Sequence, residues 1–253
     1  MSLDLQRGSL IKRLAAWILD FMLVLTLVVG LAAGLSALLK YDQYYGQLNA
    51  SYDRYQTQYG IEFNISQEAY EALPAEKKAA FDEASKAINA DADANYAFTM
   101  IVNLSLLIAS GSILVATLIV EFALPLMLGN GQTLGKKVFG LGVVRVDGVK
   151  ANNVQLFIRS VLGKFAVETM IPVYVVLMLY FQTGGMLSVI LALAVILTQL
   201  VLLVVRRDKA LIHDLMAGTV VIDLATTMVF NTTDDLIAYK NKCHAEEVSR
   251  QDY

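Results

Sequence analysis

The apolar residues of the chain are gathered into three long runs with almost no charged residues. The first run, residues 14–39, contains a single charged side chain, Asp20, and the second, residues 97–120, contains none. The third run continues without a charge over residues 169–205. A membrane-spanning helix needs about 20 consecutive apolar residues, so each of the first two runs predicts one crossing.

The third run is too long for one crossing and predicts two helices. A polar, glycine-containing stretch interrupts it, which predicts one helix over 160–181 and another over 186–205. The first of these helices needs to begin near Ser160 to have the required length. It therefore carries two charged side chains, Lys164 and Glu168, within its span.

A cleaved signal peptide is an alternative for the first run, because Arg7, Lys12 and Arg13 precede it. The apolar region of a signal peptide is only about 7–15 residues long. Residues 14–39 form a longer run that contains a carboxylate. The sequence therefore favours a helix that is not cleaved.

Residues 40–96, between the first two crossings, predict a helical hairpin. Six side chains recur at the three- and four-residue intervals of one helix face: Tyr41, Tyr45, Leu48, Tyr52, Tyr55 and Tyr59. Since no breaker follows the first crossing, its helix is predicted to continue to Tyr59 and to end at Gly60. This stripe is expected to pack on the returning helix. A face that binds a partner or a sugar is the alternative.

The second half of this segment predicts shorter elements. Apolar side chains alternate over 61–65, which is typical of an extended piece, and Ser66 is suited to cap a short helix over 67–73. Pro74 is tolerated in the first turn of another helix. That helix is expected to run into the second crossing through residues 89–95, its weakest part.

Two short β-branched runs predict a small sheet outside the crossings. Residues 143–146 end at an Asp-Gly turn, and residues 219–222 follow a short helix that Gly218 terminates. Isolated strands leave backbone groups unpaired, so the two runs are expected to pair with each other. The polar residues 231–253 predict a frayed tail.

Composition agrees with a membrane protein and excludes other classes. Hydrophobic residues make up 57% and charged residues 17% of the 253 residues, and the mean hydropathy is +0.55. A soluble domain has about 45–50% apolar and about 25% charged residues. The net charge of −3 predicts no nucleic-acid partner, and the single Cys243 allows no disulfide framework within one chain.

The distribution of basic residues predicts the orientation of the crossings. Residues 129–164 contain six Lys and Arg against one Asp, and Arg206, Arg207 and Lys209 follow the last crossing. Residues 40–96 instead contain five Lys and Arg against ten Asp and Glu. Basic segments are retained in the cytoplasm, so both termini are predicted to be cytoplasmic and the acidic segment to face outward.

Three elements of the chain resemble the RDD family of bacterial membrane proteins. The first is Arg13 with Asp20 seven residues later. The second is the loop 132–144, and the third is a His-Asp…Ala-Gly-Thr element. The residues that carry the resemblance in the last two are Gly135, Lys136, Gly140, His213 and Asp214, with Arg159 after the loop.

The spacing and order of these elements fit the family over residues 10–31 and about 100–223, and the insert 40–96 lies outside the resemblance. By position, the arginine and the two aspartates of the family name would be Arg13, Asp20 and Asp214. The resemblance implies a multi-pass protein of the bacterial cytoplasmic membrane. Cation–proton exchange has been proposed among members of the family.

Asp20 is the residue on which the functional interpretation depends. It lies two helical turns beyond Arg13, on the same face and about 10 Å further along the axis. A bare carboxylate at membrane depth costs about 2.5–3.5 kcal/mol or more. We therefore expect an intramembrane polar or ion-pair cluster toward the cytoplasmic ends of the helices: Arg13, Asp20, Glu121, Arg159, Lys164 and Glu168.

Two functions from different classes remain open. In a structural role, Asp20 pairs with a basic residue such as Arg159 or Lys164, and the protein is a membrane scaffold that recruits an extracytoplasmic or cytoplasmic protein. In a transport role, Asp20 acts with Glu121 and Glu168 to exchange protons and cations. The structural role is favoured over transport, because the four helices of one protomer would enclose an ion path in only a thin shell.

No catalytic residue, cofactor or metal site is expected, and the ligand spacing of a metal site is missing. His213 and Asp214 are adjacent, so they do not face each other on a helix. They are expected to form a structural latch between the short inner helix and the inner loop. The expected cationic neighbours of Asp214 are Arg206, Arg207 or Lys136.

The predicted fold class is all-α: a four-helix transmembrane bundle with an outward helical hairpin and a small two-stranded cytoplasmic β element. The lipid bilayer surrounds it, and Gly30 with Gly34 permits close helix contact within the chain or in a homo-oligomer. The predicted segments are 1–39 (tail and first transmembrane helix), 40–96 (hairpin insert), 97–128 (second transmembrane helix), 129–159 (cytoplasmic loop), 160–205 (third and fourth transmembrane helices) and 206–253 (cytoplasmic tail).

Overall fold

The computed structural model of the protein describes residues 5–183, 185–205 and 210–251. The described chain is mostly helical and contains one two-stranded sheet. The basic residues Arg206, Arg207 and Lys209, which contributed to the predicted orientation, lie outside the described residues.

Three of the described helices are long and apolar enough to cross a membrane: α1 (Leu10–Leu38), α5 (Ala92–Leu128) and α7 (Asn153–Tyr180). A further apolar helix, α8 (Met186–Val205), has the predicted bounds. In contrast, α7 begins at Asn153 and not near Ser160. Its start is earlier because the Asn152 side chain accepts a hydrogen bond from the Gln155 backbone at 2.8 Å and caps the first turn.

The middle of α7 and a short part of α5 depart from α-helical geometry. Residues Leu118–Ala123 in α5 and Ile158–Met170 in α7 are π-helical. A π-helix bonds each residue to the fifth one along the chain, which widens the turn. Such segments are rare and are frequently found at functional sites. The sequence analysis did not predict either segment.

The contacts divide the chain into two compact units, and residues 31–109 form one of them. It contains α2 (Tyr41–Tyr59), α3 (Gln67–Glu71) and α4 (Ala75–Ala90), with the adjoining parts of α1 and α5. The predicted end of α2 at Gly60 is confirmed, since this residue has a left-handed backbone with φ +61°. The predicted cap Ser66 is also confirmed, because its Oγ accepts a hydrogen bond from Ala69 N at 3.1 Å.

The two predicted helix continuations in this unit are wrong. Lys40 adopts a left-handed backbone with φ 56° and separates α1 from α2. Asp91 separates α4 from α5, because its Oδ1 accepts a hydrogen bond from Asp93 N at 2.8 Å and caps α5. Residues 61–65 form a loop and no strand, and α3 ends at Glu71.

The buried face of α2 is close to the predicted stripe but is shifted by one position at two places. Tyr45 and Tyr52 are exposed, whereas Tyr44 and Ser51 turn inward. Tyr44 packs edge-on against Tyr96 of α5, and this contact fixes the rotation of the helix. The stripe therefore packs partly on the returning helices and partly faces solvent.

The other unit contains residues 1–30 and 110–253 and includes the sheet. Strands β1 (Leu141–Arg145) and β2 (Thr219–Asp223) pair antiparallel with Val143 opposite Val221, which confirms the predicted pairing. The helices around the sheet are α6 (Leu134–Val138), α9 (Ile212–Ala217) and α10 (Thr233–Gln251). The inner faces of both strands pack with Ala16 of α1 and Leu156 of α7 in one apolar core.

The predicted frayed tail is wrong, since Thr233–Gln251 forms α10. Thr232 and Asp235 cap this helix reciprocally: each side chain accepts a hydrogen bond from the backbone of the other, at 3.1 and 3.0 Å. Leu236 also packs with Val149 and Phe230 in a small apolar cluster. The cap and this contact hold the polar segment in place.

Candidate functional site

Asp20 is buried where α1 meets the beginning of α6, with 2% of its surface exposed. Its Oδ1 accepts a hydrogen bond from Gly135 N at 2.7 Å, and its Oδ2 accepts one from the Thr133 hydroxyl. A glycine is required at 135, because a Cβ there would lie 2.3 Å from the Ala16 carbonyl oxygen. The loop therefore approaches α1 closely enough for its backbone to bind the carboxylate directly.

Lys136 is the cation beside Asp20, where Arg159 or Lys164 had been expected. Its Nζ lies 3.8 Å from Asp20 Oδ2 and 3.6 Å from Glu121 Oε2. Burial lowers the pKa of Lys136 to about 8, although Glu121 acts in the opposite direction. The ammonium thus connects a carboxylate of α1 to a carboxylate of α5.

Glu121 lies within the π-helical part of α5 and faces α7. Its Oε1 is 2.5 Å from Lys164 Nζ, and Lys164 lies within the π-helical part of α7. Lys164 and Glu168 are four residues apart, a spacing that favours a pair on an α-helix, yet Lys164 pairs with Glu121 of α5. The wider turn of the π-helix changes which side chains share a face, so an α-helical spacing rule does not apply there.

Asp214 at the beginning of α9 is the second buried aspartate, with 1% of its surface exposed. It forms an ion pair and hydrogen bond with Arg159 Nη1, and this nitrogen also donates to Thr219 Oγ1 at 3.0 Å. Arg13 Nη2 lies 3.7 Å from the other oxygen of Asp214. Asp214 therefore joins α1, α7 and α9.

His213 attaches α9 to α7 at a neighbouring point. Its backbone N donates to Glu168 Oε1 at 2.9 Å, and its ring Nδ1 lies 2.8 Å from the same oxygen. The pKa of His213 is lowered to about 3. Burial is the largest cause, and the positive charge of Arg159 is the next. Gly163 allows this contact, since a Cβ there would lie 2.5 Å from the His213 Cβ.

The charged residues that the sequence suggested separately form two contacting groups, one around Lys136 and the other around Asp214. The electrostatic interaction between Glu121 and Arg159 connects the two groups into one network. We call it the charge network, and it consists of Arg13, Asp20, Glu121, Lys136, Arg159, Lys164, Glu168, His213 and Asp214. Four carboxylates thus meet four basic side chains and a histidine. Among the residues that the structure describes, every buried side-chain nitrogen and oxygen has a hydrogen-bond partner.

The latch predicted for His213 and Asp214 connects different elements from those expected. It joins α9 to α7, whereas the inner loop had been expected as its partner. Asp214 contacts Arg159 and Arg13 in place of Lys136, because α9 packs along the π-helical part of α7. The two other suggested neighbours, Arg206 and Arg207, lie outside the described residues.

Some positions differ from the role that the sequence suggested. Gly140 lies outside the charge network, at a turn with φ +67° before β1. Thr133, Gly163 and Thr219 belong to the site but were not singled out, because a hydroxyl donor or a close backbone contact leaves no periodic signal. Both threonines do lie within the stretches that carry the family resemblance, which was the available indication.

Two further expectations concern metals and helix contact. Within residues 5–183, 185–205 and 210–251, no group of three or more His, Cys, Asp or Glu side chains could hold a metal ion. A Cβ at Gly30 or Gly34 would meet no heavy atom within 4 Å. The described chain therefore does not use these two glycines for close helix packing.

Comparison with known proteins gives one match. No curated protein and no solved structure matches the chain. The model of the RDD family matches residues 7–218, a range that contains every member of the charge network. The chain is a membrane protein that belongs to the RDD family.

Proposed function

We propose that this protein is a multi-pass membrane scaffold in which the charge network fixes a cytoplasmic platform to the membrane helices. The platform consists of α6, α9, α10 and the β1–β2 sheet. Its role is to present a rigid surface to a protein partner in the cytoplasm. The observation that carries the proposal is that each of the four carboxylates of the charge network already has a cationic or hydrogen-bonding partner within the chain.

Helix lengths and charge support a topology of four crossings with both termini in the cytoplasm. The four crossings are α1, α5, α7 and α8, and an even number puts both termini on one side. Residues 129–164 carry six Lys and Arg against one Asp, whereas 40–96 carry five against ten acidic residues. The positive-inside rule then puts the platform in the cytoplasm and the 40–96 hairpin outside.

The arrangement of donors around Asp20 favours a structural role over ion binding. Its two oxygens accept hydrogen bonds from Thr133 and Gly135, and Lys136 neutralises its charge. An incoming cation would have to displace these partners. Removing one member of a buried ion pair typically costs about 3–5 kcal/mol, because the remaining charge is left buried.

The test is to measure ion flux and melting temperature on the same variant, Asp20→Asn. The purified protein is reconstituted in liposomes under Na⁺, K⁺ and H⁺ gradients, and its melting is followed in detergent. We expect the wild-type protein to carry no flux. Asp20→Asn should lower the melting temperature, with a loss of stability on the order of 3 kcal/mol.

Asp42→Asn is the matched control. Asp42 is exposed in α2, so its substitution removes the same charge at a position outside the network. It should melt like the wild type. Wild-type flux that Asp20→Asn abolishes without changing the melting temperature would contradict the scaffold proposal.

A small cation- or proton-coupled transporter that uses Asp20 with Glu121 and Glu168 is the second candidate. The observation that favours it is the position of Lys136 between Asp20 and Glu121, with a pKa lowered to about 8. A group with that pKa can release a proton near neutral pH, and proton relays in membranes use such buried groups. Flux in the liposome assay that Lys136→Gln also abolishes would support this candidate.

A further inference from the structure

An open groove of about 510 Å³ lies in the unit formed by residues 31–109, between α2 and the loop that follows it. Asn49, Tyr52, Asp53, Gln56, Phe63 and Asn64 line it. The first four follow the i, i+3, i+4, i+7 spacing of one helix face, so α2 presents them together. Small-molecule sites typically have volumes of about 300–1,000 Å³.

The loop is folded back along α2 by a hydrogen bond and by ring contacts. Gln56 Oε1 accepts a hydrogen bond from Phe63 N at 3.1 Å, and the rings of Tyr52 and Phe63 meet edge to face with centroids 5.3 Å apart. Phe63 also packs against Phe81 of α4 at 5.7 Å. The aromatic side of the groove is therefore formed before any ligand arrives.

The remaining side chains supply hydrogen-bonding groups, and one of them, Asp53 Oδ1, accepts a hydrogen bond from Gln56 Nε2 at 3.3 Å. Asn49, Asp53 and Asn64 are exposed, and Tyr52 retains 37% of its surface. An Asn amide both donates and accepts hydrogen bonds, and a carboxylate accepts them. None of the six lining residues is basic, and the adjacent Arg54 pairs with Asp91.

We propose that this groove binds a neutral sugar. The exposed Tyr52 ring provides an apolar surface for the face of a sugar ring, while Asn49, Asp53 and Asn64 satisfy its hydroxyl groups. The carboxylate and the lack of a lining cation disfavour a phosphate or another anion. The proposal goes beyond the scaffold function, because it concerns the 40–96 hairpin and does not depend on the charge network.

The experiment titrates sugars into the purified full-length protein in detergent and follows binding by saturation-transfer NMR. The probes are tetramers of glucose and of N-acetylglucosamine, with both monosaccharides alongside. We expect at least one probe to bind with a dissociation constant in the millimolar range, as suits an open groove. A preference for the tetramers would indicate a polymeric glycan as the source, and a preference for the monosaccharides a free sugar.

Substitution of Tyr52 locates the binding. Tyr52→Ala should weaken it about tenfold by removing the stacking surface, whereas Tyr52→Phe should retain it. Tyr45→Ala is the matched control, since Tyr45 is 53% exposed on the same helix but does not line the groove. Asn64→Ala, in the exposed loop, should weaken binding without changing the melting temperature.

Two results would overturn the proposal. One is that no sugar binds. The other is that binding is the same in wild type, Tyr52→Ala and Asn64→Ala. Asp20 does not belong to the unit that contains the groove, so the effect of Asp20→Asn on melting or flux tests the scaffold proposal separately.

Discussion

His213 is the residue whose protonation most directly couples the structure to pH. Its pKa falls from 6.5 to about 3 in the folded protein, mainly through burial. Below pH 6.5 the unfolded chain therefore binds a proton that the folded chain does not. Stability rises with pH wherever the unfolded state binds more protons, so it is lost as the pH falls from about 6.5 toward about 3.

We expect the free energy of unfolding to fall by up to about 1.4 kcal/mol per pH unit below that pH, as one proton predicts. The measurement is the melting temperature in detergent between pH 7 and about pH 5, above the range where most carboxylates titrate. His213→Gln should flatten the slope. The exposed His244 is the other histidine of the chain, so His244→Gln should keep the wild-type slope. Equal slopes in all three proteins would contradict this explanation.

The sequence predicted which residues would be buried and charged better than it predicted their partners. Asp20 stood out because it interrupts an apolar run. Its true partner, Lys136, belongs to α6, which is distant in sequence, and the choice between Lys136, Arg159 and Lys164 depends on how closely Gly135 approaches α1. Such packing leaves no mark in periodicity or composition.

At the scale of elements, the docking of α9 on α7 depends on a glycine. A Cβ at 163 would lie 2.5 Å from the His213 Cβ and 2.6 Å from its Cα. The contacted atoms include backbone, so they cannot move aside as a flexible side chain would. Gly163→Ala should therefore displace α9 and weaken the pairs that His213 and Asp214 make with α7.

Overpacking of this kind typically costs about 1–3 kcal/mol. Amide hydrogen exchange should report it as faster exchange in residues 212–217, while residues 41–59 of the other unit stay as protected as in the wild type. Gly30→Ala is the control, because a Cβ at that position meets nothing within 4 Å. Unchanged protection of 212–217 in Gly163→Ala would show that α9 does not need the close contact.

Elements with a strong local signal were predictable, and those defined by tertiary contact were not. The two β-branched runs predicted β1 and β2, and the interrupted apolar run predicted α8 with its bounds. The π-helical part of α7 has no propensity signal of its own. Its wide turn goes with the contacts that Arg159, Lys164 and Glu168 make with other elements, and the local sequence does not reveal those contacts.

At the scale of the whole molecule, the proposed topology makes the hairpin and the platform accessible from opposite sides of the membrane. Ala50 and Val146 are both exposed, the first in α2 and the second just after β1. In a background that carries Cys243→Ser, Ala50→Cys should react with a membrane-impermeant maleimide added to intact cells. Val146→Cys should react only after the membrane is permeabilised.

Val146→Cys labelled in intact cells, or both cysteines labelled from the same side, would refute the four-crossing arrangement. The Cys243→Ser background without an added cysteine measures nonspecific labelling. Melting temperatures of both variants serve as the folding control, since neither side chain lies in the charge network.

The charge network also sets an order for the biosynthesis of the protein. In the four-crossing topology that we propose, Arg13 enters the membrane with the first helix and Arg159 with the third, whereas Asp214, which both contact, is synthesised after the last crossing. Because domains form from the N-terminus during translation, both guanidinium groups would be inserted before Asp214 is available. A nascent chain that stops before α9 therefore lacks the aspartate that both guanidinium groups contact in the folded protein, and we expect it to be degraded faster than a chain that includes α9.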